Sequence, residues 1–170
     1  MKRNKMLFVL LAPAAAVVLA GYQAAQTAPA EDPLIAGFKK TTVASVADAV
    51  DQVAGRRGYL AHDVRPVIAG QVVGRAVTAL VRPAPPEKAT PPLAVKHSVE
   101  MIDSAQPGEV GVIVMEGSLD VAAIGGLMAT SAKARGMAGM ILDGAVRDVV
   151  EIRGLSLPVY ARSVLSLIHI

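Results

Sequence analysis

Between Asp120 and Arg162 the chain reads DVAAIGGLMATSAKARGMAGMILDGAVRDVVEIRGLSLPVYAR. Gly126 to Arg135 has helical character, and Gly136 suits the C′ position that closes a helix. Gly139 to Leu142 is a short continuous apolar run, the pattern of a strand buried on both faces. Asp143-Gly144 reads as a turn after it, and Val146 to Arg153 as a second helix. Leu157 to Ala161, introduced by Pro158, reads as a second strand. Helices and strands alternate at short intervals, which points to a layered α/β fold with at least partly parallel strands.

The upstream chain extends the alternation. Pro33 to Lys40 is a lead-in, and Thr41-Thr42 offers a helix N-cap. Val43, Val46, Val50 and Val53 then recur at helical spacing up to Gly55. Arg56 to Ile68 has no clear period and reads as loop. Val72 to Val81 reads as a strand, ended by Arg82-Pro83-Ala84-Pro85-Pro86, because proline cannot donate to a sheet ladder. The proline-rich loop runs to Pro92. Leu93 to Ala105 follows as a helix, with Pro91-Pro92 in its first turn. Pro107-Gly108 turns the chain, and Val110 to Met115 is another buried strand. Glu116 to Ala123 is expected to be a loop or a short helical turn.

The length of 170 residues suits one domain, and a core of Ala, Val, Ile and Leu is expected, because the chain has two Phe, three Tyr and no Trp. The formal charge of +3 comes from Lys2, Arg3 and Lys5; without them the 14 acids face 14 bases. The folded part is therefore neutral, and composition gives no argument for nucleic acid. The absence of Cys excludes disulfides, thiolate metal sites and a Cys nucleophile. Met1 to Lys5 is basic and Met6 to Gly21 is apolar; small residues follow, up to Ala30. This order reads as a signal peptide over residues 1–30, which places the domain from residue 31 in the periplasm or outside the cell. An uncleaved membrane anchor is the alternative, although the run is short and interrupted by Pro13.

Two pieces of the quoted block have chemical meaning. Gly125-Gly126 directly precedes a helix, whose first-turn N–H groups and dipole favour an anion. Taken alone, such a pair is more often a tight turn. Arg147-Asp148 follows a buried strand, and ligands gather at the carboxyl ends of strands in open α/β sheets. Arg147 can fork onto a carboxylate or stabilise an oxyanion, and Asp148 is a hard oxygen ligand suited to Mg²⁺. The plain alternative is a surface pair on a short helix. Lys133 raises a Schiff-base route, but mid-helix beside Arg135 it reads as a solvated lysine. Asp120, His62-Asp63 and His97 with Glu100 are weaker candidates, and the three His show no ligand spacing.

The pattern G-G-L-M-A-x-x-A-K-x-R-G-x-x-G-x-x-x-D-G-x-x-R-D, ending in P-V-Y-A-R, resembles the RraA-like family. The resemblance covers about Thr41 to Arg162. It implies a layered β/β/α fold of the swivelling-domain type. The family includes metal-dependent 4-hydroxy-4-methyl-2-oxoglutarate aldolases and oxaloacetate decarboxylases, and also the non-catalytic regulator of ribonuclease activity A. Carried over by position, the backbone of Gly125, Gly126, Leu127 and Met128 would bind a substrate carboxylate. Arg147 would hold the substrate near its 2-oxo group, and Asp148 would bind a divalent cation, Mg²⁺ or Mn²⁺. The implied reaction is cleavage or decarboxylation of a 2-oxo acid through a pyruvate enolate. The implied assembly is a trimer or hexamer with interfacial sites.

Relatives of this kind continue past the P-V-Y-A-R strand, so the domain, taken as residues 31–164, is expected to be incomplete. The last six residues, LSLIHI, are one reading frame of CTGTCTCTTATACACATC, a transposon-end sequence used in library preparation. Leu165 to Ile170 is therefore expected to be a non-native tail, which the encoding DNA would decide.

Overall fold

Alternation of elements continues through the computed structural model, which describes residues 31–117 and 119–165. Helix α1 (Pro33–Lys39) leads into α2 (Val43–Ala54). Thr42 caps α2 by accepting from Ser45 N–H, and Gly55 closes it at φ 62° with its N–H on Asp51 O. Strands β1 (Arg65–Ile68) and β2 (Ala76–Val81) follow. Helix α3 (Pro91–Ser104) starts behind Thr90, whose side chain accepts from Leu93 N–H. Then come β3 (Val110–Met115), β4 (Ala122–Ile124), α4 (Gly126–Ala134), β5 (Gly139–Val146), α5 (Val149–Gly154) and β6 (Val159–Val164). The expected signal peptide lies outside the described residues, as does the suspected tail beyond Leu165.

The strands form one sheet in the order β1-β6-β5-β3-β2, with β4 also on β5. All pairs are parallel except the β1–β6 pair. Register lines up Ala79, Ile113, Leu142 and Ala161 in one row across four strands. All four are buried, and Ile113 and Leu142 are fully so. Side chains on a strand alternate between faces, so this row defines the helix-covered side. Met101 and Ile102 of α3, Ala129 and Ala132 of α4, and Ile152 of α5 join the same core. The small side chains of α4 let that helix lie close to the sheet. The other face presents half-buried Val112, Val114, Ile141 and Tyr160, with Leu80 exposed at its margin. The described residues thus supply one β layer and the helical layer of the expected stack; a second β layer is not among them.

Several expectations are corrected. Arg65–Ile68 is a strand within the expected loop. It sits at the sheet edge, where Pro66 removes no interior ladder bond. Ala122–Ile124 is a strand of three residues, too short to show a period. Asp143-Gly144 does not turn the chain, because β5 runs through both to Val146. A Cβ at Gly144 would stand 2.6 Å from Met115 Cγ, so this glycine serves close packing. Because β5 takes Val146, helix α5 begins only at Val149. Strand β2 starts at Ala76 rather than Val72, and β6 extends to Val164.

Candidate functional site

The long strand β5 changes neighbour halfway. Gly139 to Asp143 pairs with β3, and Ala145 and Val146 pair with β4. Strands β4 and β5 run parallel, with Ile124 opposite Val146. Their carboxyl ends therefore emerge side by side. One end carries Gly125-Gly126 into α4, and the other carries Arg147-Asp148 into α5. Arg147 N–H continues the ladder by donating to Ile124 O at 3.1 Å. Sheet topology brings together two motifs that are 22 residues apart in sequence.

The contacts between them are direct. Asp148 Oδ2 accepts from Gly126 N–H at 2.9 Å. Arg147 Nε lies 3.6 Å from the same oxygen, and both side chains remain partly open to solvent. Gly125 is extended at φ −128°, so its backbone would suit any residue. Space is what requires glycine: a Cβ there would stand 2.5 Å from Asp148 Oδ2 and 2.8 Å from Arg147 Nε. Asp148 itself is left-handed, at φ 57° and ψ 41°. Aspartate is among the few residues that tolerate this conformation. Its carbonyl accepts from Ile152 N–H at 3.1 Å and so starts α5.

As an N-cap, Gly125 makes no side-chain hydrogen bond to α4. The N–H groups of Gly126, Leu127 and Met128 have no carbonyl partner within the helix, because helical pairing begins at Ala129 N–H on Gly125 O. Leu127 is 84% exposed and Met128 packs against the core edge. Among the described residues no group of three or more His, Cys, Asp or Glu could hold a metal ion. Asp148 offers one hard oxygen donor. Glu151 lies one turn along α5, and its Cβ would stand 3.4 Å from a Cβ at Gly126. One or two carboxylates completed by water and ligand oxygens is a usual Mg²⁺ arrangement, so these residues fit such an ion. Sequence reading passed over Glu151, although the Asp148-x-x-Glu151 spacing on a helix start was there to find.

The weaker candidates fall elsewhere. Lys133 is at the far end of α4 from Gly126, with Nζ donating to Ser156 O at 3.5 Å. His97 pairs with Glu100 on the exposed side of α3. His62-Asp63 contributes through its aspartate alone. Arg162 donates from Nε to Asp63 Oδ2 and from its Nη1 to Asp143 Oδ1, each at 2.7 Å. The hydrogen bond from Arg162 holds the Asp63 carboxyl below its ordinary range, against the opposing effect of burial. The bonds to Asp143 and Asp63 raise Arg162 in turn. The second oxygen of Asp63 is buried with no hydrogen-bond partner among the described residues. This bridge ties β5, β6 and the segment before β1, and the sequence reading missed it. An apolar cavity of about 720 Å³ lies beside the carboxyl ends of β2 and β3, lined in part by Leu80, Leu93, Met115 and Val121. None of Gly125, Gly126, Arg147 or Asp148 lines it.

Comparison with known proteins adds to this geometry. The family model described as RraA-like, Aldolase/RraA, matches residues 43–168. A putative 4-hydroxy-4-methyl-2-oxoglutarate aldolase of Halalkalibacterium halodurans is 31% identical over 134 residues, spanning 78% of this chain and 58% of its own length. An uncharacterized protein from Pseudomonas syringae pv. tomato has a similar solved structure, with a TM-score of 0.61 and 27% identity over 73% of this chain and 53% of that one. Streptomyces coelicolor RraAS2, described as an unusual member of the RNase ES inhibitor RraA family, shares the fold at a TM-score of 0.66 and 24% identity. That match covers 79% of this chain and 65% of RraAS2. The chain thus spans a little over half the length of the aldolase-named relative.

Proposed function

The chain belongs to the RraA-like family, and from that premise we propose that it is a divalent-metal-dependent lyase acting on a small 2-oxo acid, of the 4-hydroxy-4-methyl-2-oxoglutarate aldolase or oxaloacetate decarboxylase type. The observation that carries this reading is the meeting of the Gly125-Gly126 loop with Arg147 and Asp148 at the carboxyl ends of two parallel strands. An oxyanion stabiliser, a hard oxygen donor and a helix N-terminus converge there.

In this reading the first-turn N–H groups of α4 bind a substrate carboxylate. Gly125 keeps the approach open, because any side chain would fill the space beside Arg147. Arg147 lies across the 2-oxo group and stabilises the charge that develops there as the C–C bond breaks. The bonding electrons pass into the enolate of pyruvate as CO₂ leaves, or, in the aldol case, as the C4 hydroxyl gives its proton to water and becomes the carbonyl of the departing fragment; a proton from water then quenches the enolate. Asp148, helped by Glu151, would hold the Mg²⁺ or Mn²⁺ ion. When bound, such an ion supplies Lewis-acid polarisation of the 2-oxo group. Lys133 has no role in this reading, since its amine lies at the opposite end of the helix, 3.5 Å from Ser156 O.

Pyruvate release from oxaloacetate or 4-hydroxy-4-methyl-2-oxoglutarate tests the proposal. Turnover above the metal-only background in Mg²⁺, and its loss in EDTA, are expected. Trapping of a protein adduct by borohydride would instead implicate an amine such as Lys133. The family also contains non-catalytic regulators, and absence of turnover in Mg²⁺ would move this chain to that class. The N-terminal segment supports export, and we extend the proposal to a trimeric or hexameric homo-oligomer of the full-length protein acting outside the cytoplasm.

A further inference from the structure

Asp148-Val149-Val150-Glu151 has the sequence of a capping box, in which the first residue caps its own helix. Asp148 does not do so: its side chain makes no capping bond to α5. It caps α4 instead, through Gly126 N–H at 2.9 Å. The same oxygen lies 3.6 Å from Arg147 Nε and against the space that Gly125 leaves open. One carboxylate oxygen of the protein therefore takes Gly126 N–H, one of the first-turn donors that the proposed function assigns to the substrate carboxylate, and lies beside Arg147, which it assigns to the 2-oxo group. A substrate carboxylate arriving there competes with Asp148 for Gly126 N–H and is repelled by it at contact distance, so its binding is weakened.

We infer that Asp148 guards the site: without a divalent cation its carboxylate closes the α4 N-terminus, and on taking a cation it turns away and opens the seat for the substrate. The inference rests on the proposed function for the identity of the seat. Cation and carboxylate ligand then bind with positive coupling, although neither needs to touch the other. Loss of an N-cap carboxylate changes a folding equilibrium by about fivefold, and coupling of at least that size is expected here, by linkage in both directions. Glu151 and Asp148 lie on the same side of Gly126, their Cβ atoms 3.4 Å and 3.5 Å from where a Cβ there would stand, so Glu151 can join Asp148 around a cation.

Pyruvate binding, measured by calorimetry and by the Gly126 amide resonance, tests this apart from turnover. In EDTA, Asp148→Ala is expected to bind pyruvate about fivefold tighter than the parent, the size of the vacated cap, whereas the isosteric Asp148→Asn still caps Gly126 N–H and should gain less. Neither variant should respond to Mg²⁺, whereas the parent should tighten on its addition. Glu151→Gln removes the same charge without freeing Gly126, and its effect in EDTA should stay below about twofold, as for a solvent-screened charge. Mg²⁺ alone should shift the Gly126 amide of the parent. Unchanged or weaker pyruvate binding by Asp148→Ala in EDTA overturns the inference, as does an equal gain in Glu151→Gln. If turnover by the parent in Mg²⁺ accompanies that result, the lyase stands and the guard falls. Tighter binding by Asp148→Ala, with no turnover by the parent in Mg²⁺, leaves the guard and removes the lyase.

Discussion

Gly125 separates fold from function at a single position. Its backbone does not need glycine, but its missing Cβ leaves room for the ends of Arg147 and Asp148. Gly125→Ala should therefore displace the Asp148 carboxylate, the far end of a movable side chain, and leave the fold intact. We expect a thermal midpoint close to the parent, with pyruvate release reduced at least about tenfold, since displacing a group by an ångström can cost more than that in rate. Full activity in a folded Gly125→Ala protein would contradict the assigned site. Asp63 gives a second prediction at this scale. Its carboxyl is held below its ordinary 3.8 chiefly by the Arg162 hydrogen bond, so folding gains from the charged form. That gain is present above pH 3.8 and fades as pH falls through the lower, folded-state value. Asp63→Asn should be less stable than the parent at pH 6, and the gap should narrow on acidification below 3.8. Denaturant midpoints across that range check the sign; a gap that widens in acid would refute it.

Between elements, the transverse row Ala79–Ile113–Leu142–Ala161 carries the core. Leu142 is fully buried at its middle, under the helical layer. Leu142→Ala should cost about 2–5 kcal/mol in chemical denaturation, the usual range for emptying such a position. A loss below about 1 kcal/mol would mean that the site collapses freely, against the close packing described. The strands of this row were largely legible. Val110–Met115 is a buried parallel strand with an unbroken apolar run, and Gly139–Leu142 shows the same signal. What escaped was short or locally misleading. Arg65–Ile68 has an exposed Arg and Pro in half its length, and its pairing with β6 is a long-range choice that no window reveals. Ala122–Ile124 is three residues long. Asp143-Gly144 has turn chemistry, yet tertiary packing against Met115 overrides it. That misreading mattered, because it concealed how far β5 runs and therefore why Arg147 lies beside Gly125.

Over the whole molecule, the helix-covered face of the sheet is packed and the other is half-open, with Leu80 and Val112 among its apolar residues. Helices α1 and α2 bury none of their residues, although α2 has an apolar stripe of valines. These surfaces accord with the proposed homo-oligomer, since exposed apolar patches of this kind mark association sites. Light scattering on the purified full-length protein should give the mass of three or six chains; a monomer at all concentrations would contradict the proposed assembly. The candidate residues on either side of the site were legible as two motifs in sequence, and their contact was not. It depends on β4 and β5 running parallel with Ile124 opposite Val146. The direct bond from Gly126 to Asp148 was likewise beyond sequence reading, because it needs the left-handed turn at Asp148.

The proposed metal-dependent lyase activity rests on Arg147 and Asp148, set beside the glycine loop. The most direct test compares pyruvate formation from oxaloacetate by the parent and by Arg147→Ala, each in Mg²⁺ and in EDTA. Turnover by the parent is expected in Mg²⁺ alone, with a fall of about 10²–10³ in kcat for Arg147→Ala, as for the loss of one oxyanion-stabilising donor. Equal rates for the two proteins, or a parent rate indifferent to EDTA, would refute the lyase.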